Sequence, residues 1–323
     1  MQTTEIYALV EQDFRAADAL IQSQLRSDVP LVETIGKYIV NAGGKRLRPL
    51  LVLLTSHALA RPSEDSVKLA TIIEFLHTAT LLHDDVVDTS SMRRGNATAN
   101  AKWGNAPSVL VGDFLYSRAF QMMVQLNSMP VLNVLANATN LIAEGEVLQL
   151  TNCKNPDITE ATYIKVITAK TARLFEAATE SAARLAGTGE ELGKALAKYG
   201  CLLGIAFQLA DDVLDYTGDP AVMGKNIGDD LAEGKPTLPL IEAQRRLDKA
   251  GCETIRQAIR KGDASAIDDI LTLVRQSDSL PYTLQRASDY ADEARKLVVN
   301  LLPDSAFRKA LVALTDIAVN RTQ

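Results

Sequence analysis

Residues 72–88, IIEFLHTATLLHDDVVD, run an apolar stretch straight into a carboxylate cluster, and residues 202–215, LLGIAFQLADDVLD, do so again. Both clusters read D-D-x-x-D, as Asp84-Asp85-Val-Val-Asp88 and Asp211-Asp212-Val-Leu-Asp215. On a helix, residues i and i+4 lie on one face about a turn apart, so Asp84 is expected to point with Asp88, and Asp211 with Asp215. One such cluster is most often a solvated helix face. Two of them, each beside apolar sequence, are harder to leave unpaired, because clustered like charges repel and desolvation adds to the cost. A cation is the simplest remedy. Mg²⁺ fits, since it takes one or two carboxylates plus substrate phosphates and keeps much of its water. The pattern points to chemistry on a diphosphate.

Around these stretches the chain reads as all-α. Ala and Leu abound, aromatic residues are only 5%, and alternating strand-like runs are missing. Helices are expected over 4–25, 29–40, 49–60, 65–89, 106–126, 131–150, 159–186, 190–215, 236–247, 252–260, 265–275, 281–301 and 304–320. Pro49 suits a first helical turn, and Gly43-Gly44 and Gly95 mark breaks. Both aspartate clusters then fall near helix C-termini, whose partial negative charge increases the need for a cation.

The chain has 323 residues, 47% of them hydrophobic, enough for a large core, and no linker composition divides it. A single domain over 1–323 is expected. The net charge of −6 argues against nonspecific nucleic-acid binding, which needs a basic footprint. Cys153, Cys201 and Cys252 are scattered without C-x-x-C spacing, which suits a reducing, cytoplasmic setting. No signal-like start and no run long enough to span a membrane is read. Peripheral membrane contact stays open.

An acidic protein that binds anions must cluster its cations locally. In GGKRLRP, residues 43–49, glycines free the backbone and Lys45, Arg46 and Arg48 supply donors, although a solvated basic loop would read the same. Arg93 and Arg94 would serve two separate anions or form a plain surface pair. Lys170-Thr171 and the glycine-rich stretches at 224–230 and 234–237 are further candidates, the latter a lid or an ordinary connection. His77, two turns before Asp84, is either a core histidine or a phosphate donor. His83 is read as structural. Gln208, a turn before Asp211, would present an amide dipole to positive charge in a dry site.

Together these stretches resemble the all-trans polyprenyl diphosphate synthases. GGKRLRP, HTATLLHDDVVD, RRG, KT, GIAFQLADDVLD and GDDLAEGKPTLP occur in that family's order, across most of the chain. The resemblance implies a large single-domain helical bundle of the isoprenoid synthase type with a central cavity, usually a homodimer. It implies Mg²⁺ on Asp84, Asp88 and Asp211, with Asp85, Asp212 and Asp215 in support. Arg93, Lys170, Lys225 and Lys235 would hold the allylic diphosphate. Lys45, Arg48, His77 and Arg94 would hold isopentenyl diphosphate. Thr171 and Gln208 would face the developing allylic cation. The expected reaction is sequential condensation of isopentenyl diphosphate onto an allylic diphosphate such as farnesyl diphosphate, giving an octaprenyl product for a quinone side chain.

Product length should depend on the helix before Asp84. Ala79 and Thr80 are small, so the chain is expected to grow past them towards a floor drawn from Phe75, Leu76, Phe120 or Met123. Small residues there weigh against a shorter-chain farnesyl or geranylgeranyl synthase. A terpene cyclase would not need the second aspartate cluster, and a noncatalytic prenyltransferase subunit typically lacks one of the two. A helical metal-binding or interaction protein is the reading furthest from an enzyme.

Overall fold

The Glu64–Val87 helix organises the first half of the chain. Ser63 caps it, its Oγ accepting the Ser66 N–H at 3.3 Å, and Glu64 and Asp65 complement the helix dipole in the first turn. Helices Glu11–Gln24, Leu47–Ala58 and Asn105–Gln125 pack around it. Leu50, Leu51, Leu53 and Leu54 are fully buried, and each such side chain contributes about 2 kcal/mol by leaving water.

In this computed structural model, residues 1–218, 227–262 and 264–320 are described. They are almost entirely helical. The chain sorts into two compact units made of interleaved segments. One comprises Met1–Thr139, Leu174–Gly200 and Lys296–Ala313; the other comprises Asn140–Arg173, Cys201–Arg295 and Leu314–Gln323. The core of the first is the set just described. The second is built on Leu238–Arg246, Lys249–Lys261 and Ile267–Gln276, with Tyr216, Leu231, Ile255, Ile259 and Ile270 buried among them. A further apolar cluster there joins Tyr163, Ile167, Ile205, Leu209 and Ile241. No helix among the described residues is long and apolar enough to cross a membrane.

Four local features depart from the sequence reading. The expected 4–25 helix is two, Thr3–Ala8 and Glu11–Gln24, with Tyr7 meeting Phe14 edge-on across the break at 5.3 Å. The expected 159–186 helix is Glu160–Ile167, then a π-helical turn Thr168–Ala172, then Arg173–Leu185. Short helices Ala99–Trp103 and Asp229–Ala232 were beyond what periodicity detects. Finally, Met92–Arg93 and Asn96–Ala97 pair as a minimal antiparallel hairpin. Its turn residues, Arg94 at φ 52° and Gly95 at φ 75°, both take the left-handed conformation that a two-residue hairpin favours.

Candidate active site

In the first unit, the aspartate cluster closes the Glu64–Val87 helix, with Asp88 as its C-cap. Asp84 and Asp88 are half-buried and Asp85 is wholly buried. Asn100 ties the helix end to the loop before the hairpin, donating to the carbonyls of Asp85 at 3.0 Å and Ser90 at 3.1 Å. Arg93 leans back onto Asp85: its Nε donates to Oδ1 at 2.8 Å, and its Nη2 lies 2.7 Å from the same oxygen. Burial pushes the Asp85 carboxyl up, and the bond from Arg93 opposes it. His83, next to the cluster, packs so closely on Gly112 that a Cβ there would meet its ring at 2.4 Å, and it contacts the Val109 carbonyl at 3.2 Å.

Further up that helix the basic residues converge. Arg48 Nη1 lies 3.2 Å from His77 Nε2. Arginine can only donate, so Nε2 accepts and the ring proton sits on Nδ1. Burial, then the charges of Arg48, Arg94 and Arg93, hold His77 well below the usual imidazole range, so it is neutral. The Arg48 guanidinium stacks over Phe175 at 4.4 Å, and burial brings its pKa down to about 10. Arg94 donates to the Gly43 carbonyl. Gly44, at φ 128°, leaves room for it, since a Cβ would sit 2.5 Å from Arg94 Nη1. Lys45 is exposed, and its carbonyl accepts from Tyr7. Arg46 takes φ 42° at the start of the Leu47–Ala58 helix. It bonds Asp18 and the Val40 carbonyl, so it anchors the loop.

In the second unit, Asp211 is half-buried, whereas Asp212 and Asp215 are 2% and 0% exposed. Asp211 and Asp215, expected to share one helix face, differ in exposure. Asp215 Oδ2 accepts the Asp230 N–H at 3.3 Å, and its carbonyl accepts the Gly228 N–H at 3.0 Å, drawing that residue into the core. Asp212 accepts from Tyr163 and, at 2.7 Å, from Gln208 Nε2. Gln208 Oε1 in turn accepts from Thr171 at 2.9 Å. The Gln208 amide thus serves Asp212, as i to i+4 spacing allows. Burial first, then Asp230, raises Asp212 well above the usual carboxylate range.

Lys170 lies on the π-helical turn, a device frequent at functional sites. Its Nζ donates to Glu146 Oε2 and Gln149 Oε1, both at 2.7 Å. Gly145 makes room for that turn, because a Cβ there would lie 2.7 Å from Ala169. Lys170, Thr171, Gln208, Asp212 and Lys235 line one pocket of this unit. Lys235 pairs with Glu233. Lys225 lies outside the described residues. Among the chain-length candidates, Phe75, Ala79 and Met123 are buried in the first unit's core, while Thr80 is half-exposed.

No three His, Cys, Asp or Glu side chains among the described residues gather into a metal cage. Asp84 and Asp88 in the first unit, and Asp211 in the second, are half-buried carboxylates, a chemistry that suits a hard cation completing its shell with water and phosphate oxygens.

Two residues escaped the sequence reading: Glu74, buried three positions before His77, and Tyr163. A lone Glu inside the apolar run 72–82 was the available signal for the first.

The polyprenyl synthetase family matches residues 29–276. The chain is 51% identical to octaprenyl diphosphate synthase of Escherichia coli, over 99% of each chain. It is 50% identical to octaprenyl diphosphate synthase of Haemophilus influenzae, over 99% of this chain and 98% of that one. Its structure is similar to that of a polyprenyl synthase from Caulobacter crescentus solved with calcium and isoprenyl diphosphate, at TM-score 0.96 and 44% identity, over 100% of this chain and 98% of the other.

Proposed function

The chain belongs to the polyprenyl synthetase family, a family of all-helical prenyltransferases, and from that premise we propose that it builds a long all-trans polyprenyl diphosphate by repeated addition of isopentenyl diphosphate to an allylic diphosphate. Octaprenyl diphosphate, destined for a quinone side chain, is the product we assign, starting from a substrate such as farnesyl diphosphate. One observation carries the reading. A single unit holds two groups of different chemistry, the half-buried carboxylates Asp84 and Asp88, and the cations Lys45, Arg48 and Arg94 with neutral His77. A reaction between two diphosphates needs both.

We assign Mg²⁺ to Asp84, Asp88 and Asp211; when bound, it would neutralise charge building on the departing diphosphate. Lys170, Arg93, Lys225 and Lys235 are assigned to the same allylic diphosphate. Arg48, Arg94 and Lys45 hold the second diphosphate in place, so that its double bond meets the allylic carbon as an intramolecular step. Neutral His77 adds an N–H donor at Nδ1 without adding charge. The Thr171–Gln208–Asp212 chain fixes the Gln208 amide, whose dipole would face the positive carbon. The site must exclude water, which would quench the cation. The proton lost in forming the new double bond leaves with the released diphosphate.

We treat the chain as one catalytic domain, working as a homodimer in the cytoplasm, where the thiols of Cys153, Cys201 and Cys252 would stay reduced. Each added unit contributes about 4 kcal/mol of apolar transfer free energy, so product should leave slowly into water and faster into lipid or detergent.

The test is incubation of purified protein with farnesyl diphosphate, isopentenyl diphosphate and Mg²⁺, followed by mass spectrometry of the dephosphorylated products. An octaprenyl alcohol, absent with chelator or with Asp84→Ala, is expected. Absence of diphosphate release at saturating Mg²⁺ would refute the enzyme assignment, and a shorter product would favour a farnesyl or geranylgeranyl synthase.

A further inference from the structure

We infer that Glu74 is a positioning residue of the isopentenyl diphosphate site, the buried counter-charge that keeps Arg46, Arg48 and Arg94 converged; this rests on the assignment of that site above. Glu74 sits inside the Glu64–Val87 helix, one turn before His77, and is 9% exposed. Its Oε1 lies 4.0 Å from Arg46 Nε. Its Oε2 is buried and accepts no hydrogen bond among the described residues. Arg48 Nε is likewise buried and donates none. A buried carboxylate oxygen and a buried guanidinium N–H thus belong to one cluster without being joined; burial pushes the Glu74 carboxyl up, and the charges of Arg46, Arg48 and Arg94 oppose it.

The two arginines nearest in sequence have different tasks. Arg46 is committed to Asp18 and the Val40 carbonyl, so its contact with Glu74 ties the 43–49 loop to the central helix. Arg48 is gripped at Nη1 by His77 and across its face by Phe175. Neither of those neighbours carries charge. Glu74 is the carboxylate whose charge acts on Arg46, Arg48 and Arg94 together. Like-charged guanidiniums held close repel, and a buried carboxylate whose charge reaches all three offsets that repulsion before any diphosphate arrives.

Glu74 also opposes binding, because it repels an incoming anion. The two effects predict opposite signs for Glu74→Gln, which keeps shape and hydrogen-bonding capacity but removes the charge. If positioning dominates, the KM for isopentenyl diphosphate rises about tenfold or more, the loss of one charged contact. The KM for the allylic substrate should stay within about twofold, because its site is held by other residues. Glu74→Asp, which restores the charge one methylene short, should recover most of the loss. Calorimetric titration of isopentenyl diphosphate reads the same effect without turnover. Weaker binding by Glu74→Gln with recovery in Glu74→Asp supports the inference. Unchanged or tighter binding, or an equal rise in KM for both substrates, overturns it. If wild-type protein binds isopentenyl diphosphate but makes no product, the functional assignment fails while the Glu74 result still stands on the titration.

Discussion

Arg93 commits two of its nitrogens to one oxygen of Asp85, Nε at 2.8 Å and Nη2 at 2.7 Å from Oδ1. The partner oxygen, Oδ2, is buried and has no hydrogen bond among the described residues. The first aspartate cluster is therefore divided: Asp85 is wholly buried and paired with Arg93, and Asp84 and Asp88 are half-buried. An arginine assigned from sequence to a diphosphate is also a structural counter-ion.

Arg93→Ala should accordingly destabilise the fold. A fully buried carboxylate loses its cation, a change that typically costs about 3–5 kcal/mol. Urea unfolding would read it. Adding Asp85→Asn should recover much of the loss, because the buried charge is then gone; a double variant as unstable as the single would contradict the pairing.

His77 should give stability a pH dependence. Its folded pKa lies well below its unfolded value near 6.5, chiefly through burial. Stability from the neutral ring is present above the unfolded pKa and is lost as pH falls towards the folded one. Between about pH 7.5 and about pH 5, wild type should lose about 1–2 kcal/mol more than His77→Gln. Parallel pH–stability curves for the two proteins would reject a neutral buried imidazole.

Tyr163→Phe removes one of two donors to the buried Asp212 carboxyl. Leaving a buried acceptor short of a partner costs about 1–3 kcal/mol. Chemical denaturation measures that cost. In a double-mutant cycle with Asp212→Asn the effects should be non-additive, and simple additivity would show that the hydroxyl and carboxyl do not interact.

Thr80 and Ala79 should part company. Thr80 is half-exposed, so Thr80→Phe is expected to shorten the product while the protein stays folded. Ala79 is fully buried, so Ala79→Phe overpacks the core and should cost about 1–3 kcal/mol or more. Chromatography of dephosphorylated products and thermal unfolding, run on both variants, would test the split. Unchanged product length for Thr80→Phe removes that position from length control.

Much of the helical map was readable because apolar periodicity and caps are local. The Glu64–Val87 helix was anticipated to within two residues at either end. The π-helical turn at Thr168–Ala172 was not, since an i to i+5 bond leaves no distinct apolar pattern. The hairpin at Met92–Ala97 is too short for alternation to register, although Arg94-Gly95 fits its turn. Glu74 was passed over because a glutamate in an apolar run reads as an exception until its arginine neighbours are known.

By itself, then, the sequence determined the helical class, the family resemblance and the set of charged residues available for chemistry, because motif spacing and periodicity are properties of neighbours along the chain. Which aspartates are buried and which stay open was decided only in three dimensions. Arg93 lies eight residues from Asp85, Tyr163 forty-nine from Asp212, and Asp230 fifteen from Asp215. Burial and counter-charge come from such partners, and two strings of one D-D-x-x-D pattern acquire different half-buried sets because folding supplies each with different ones.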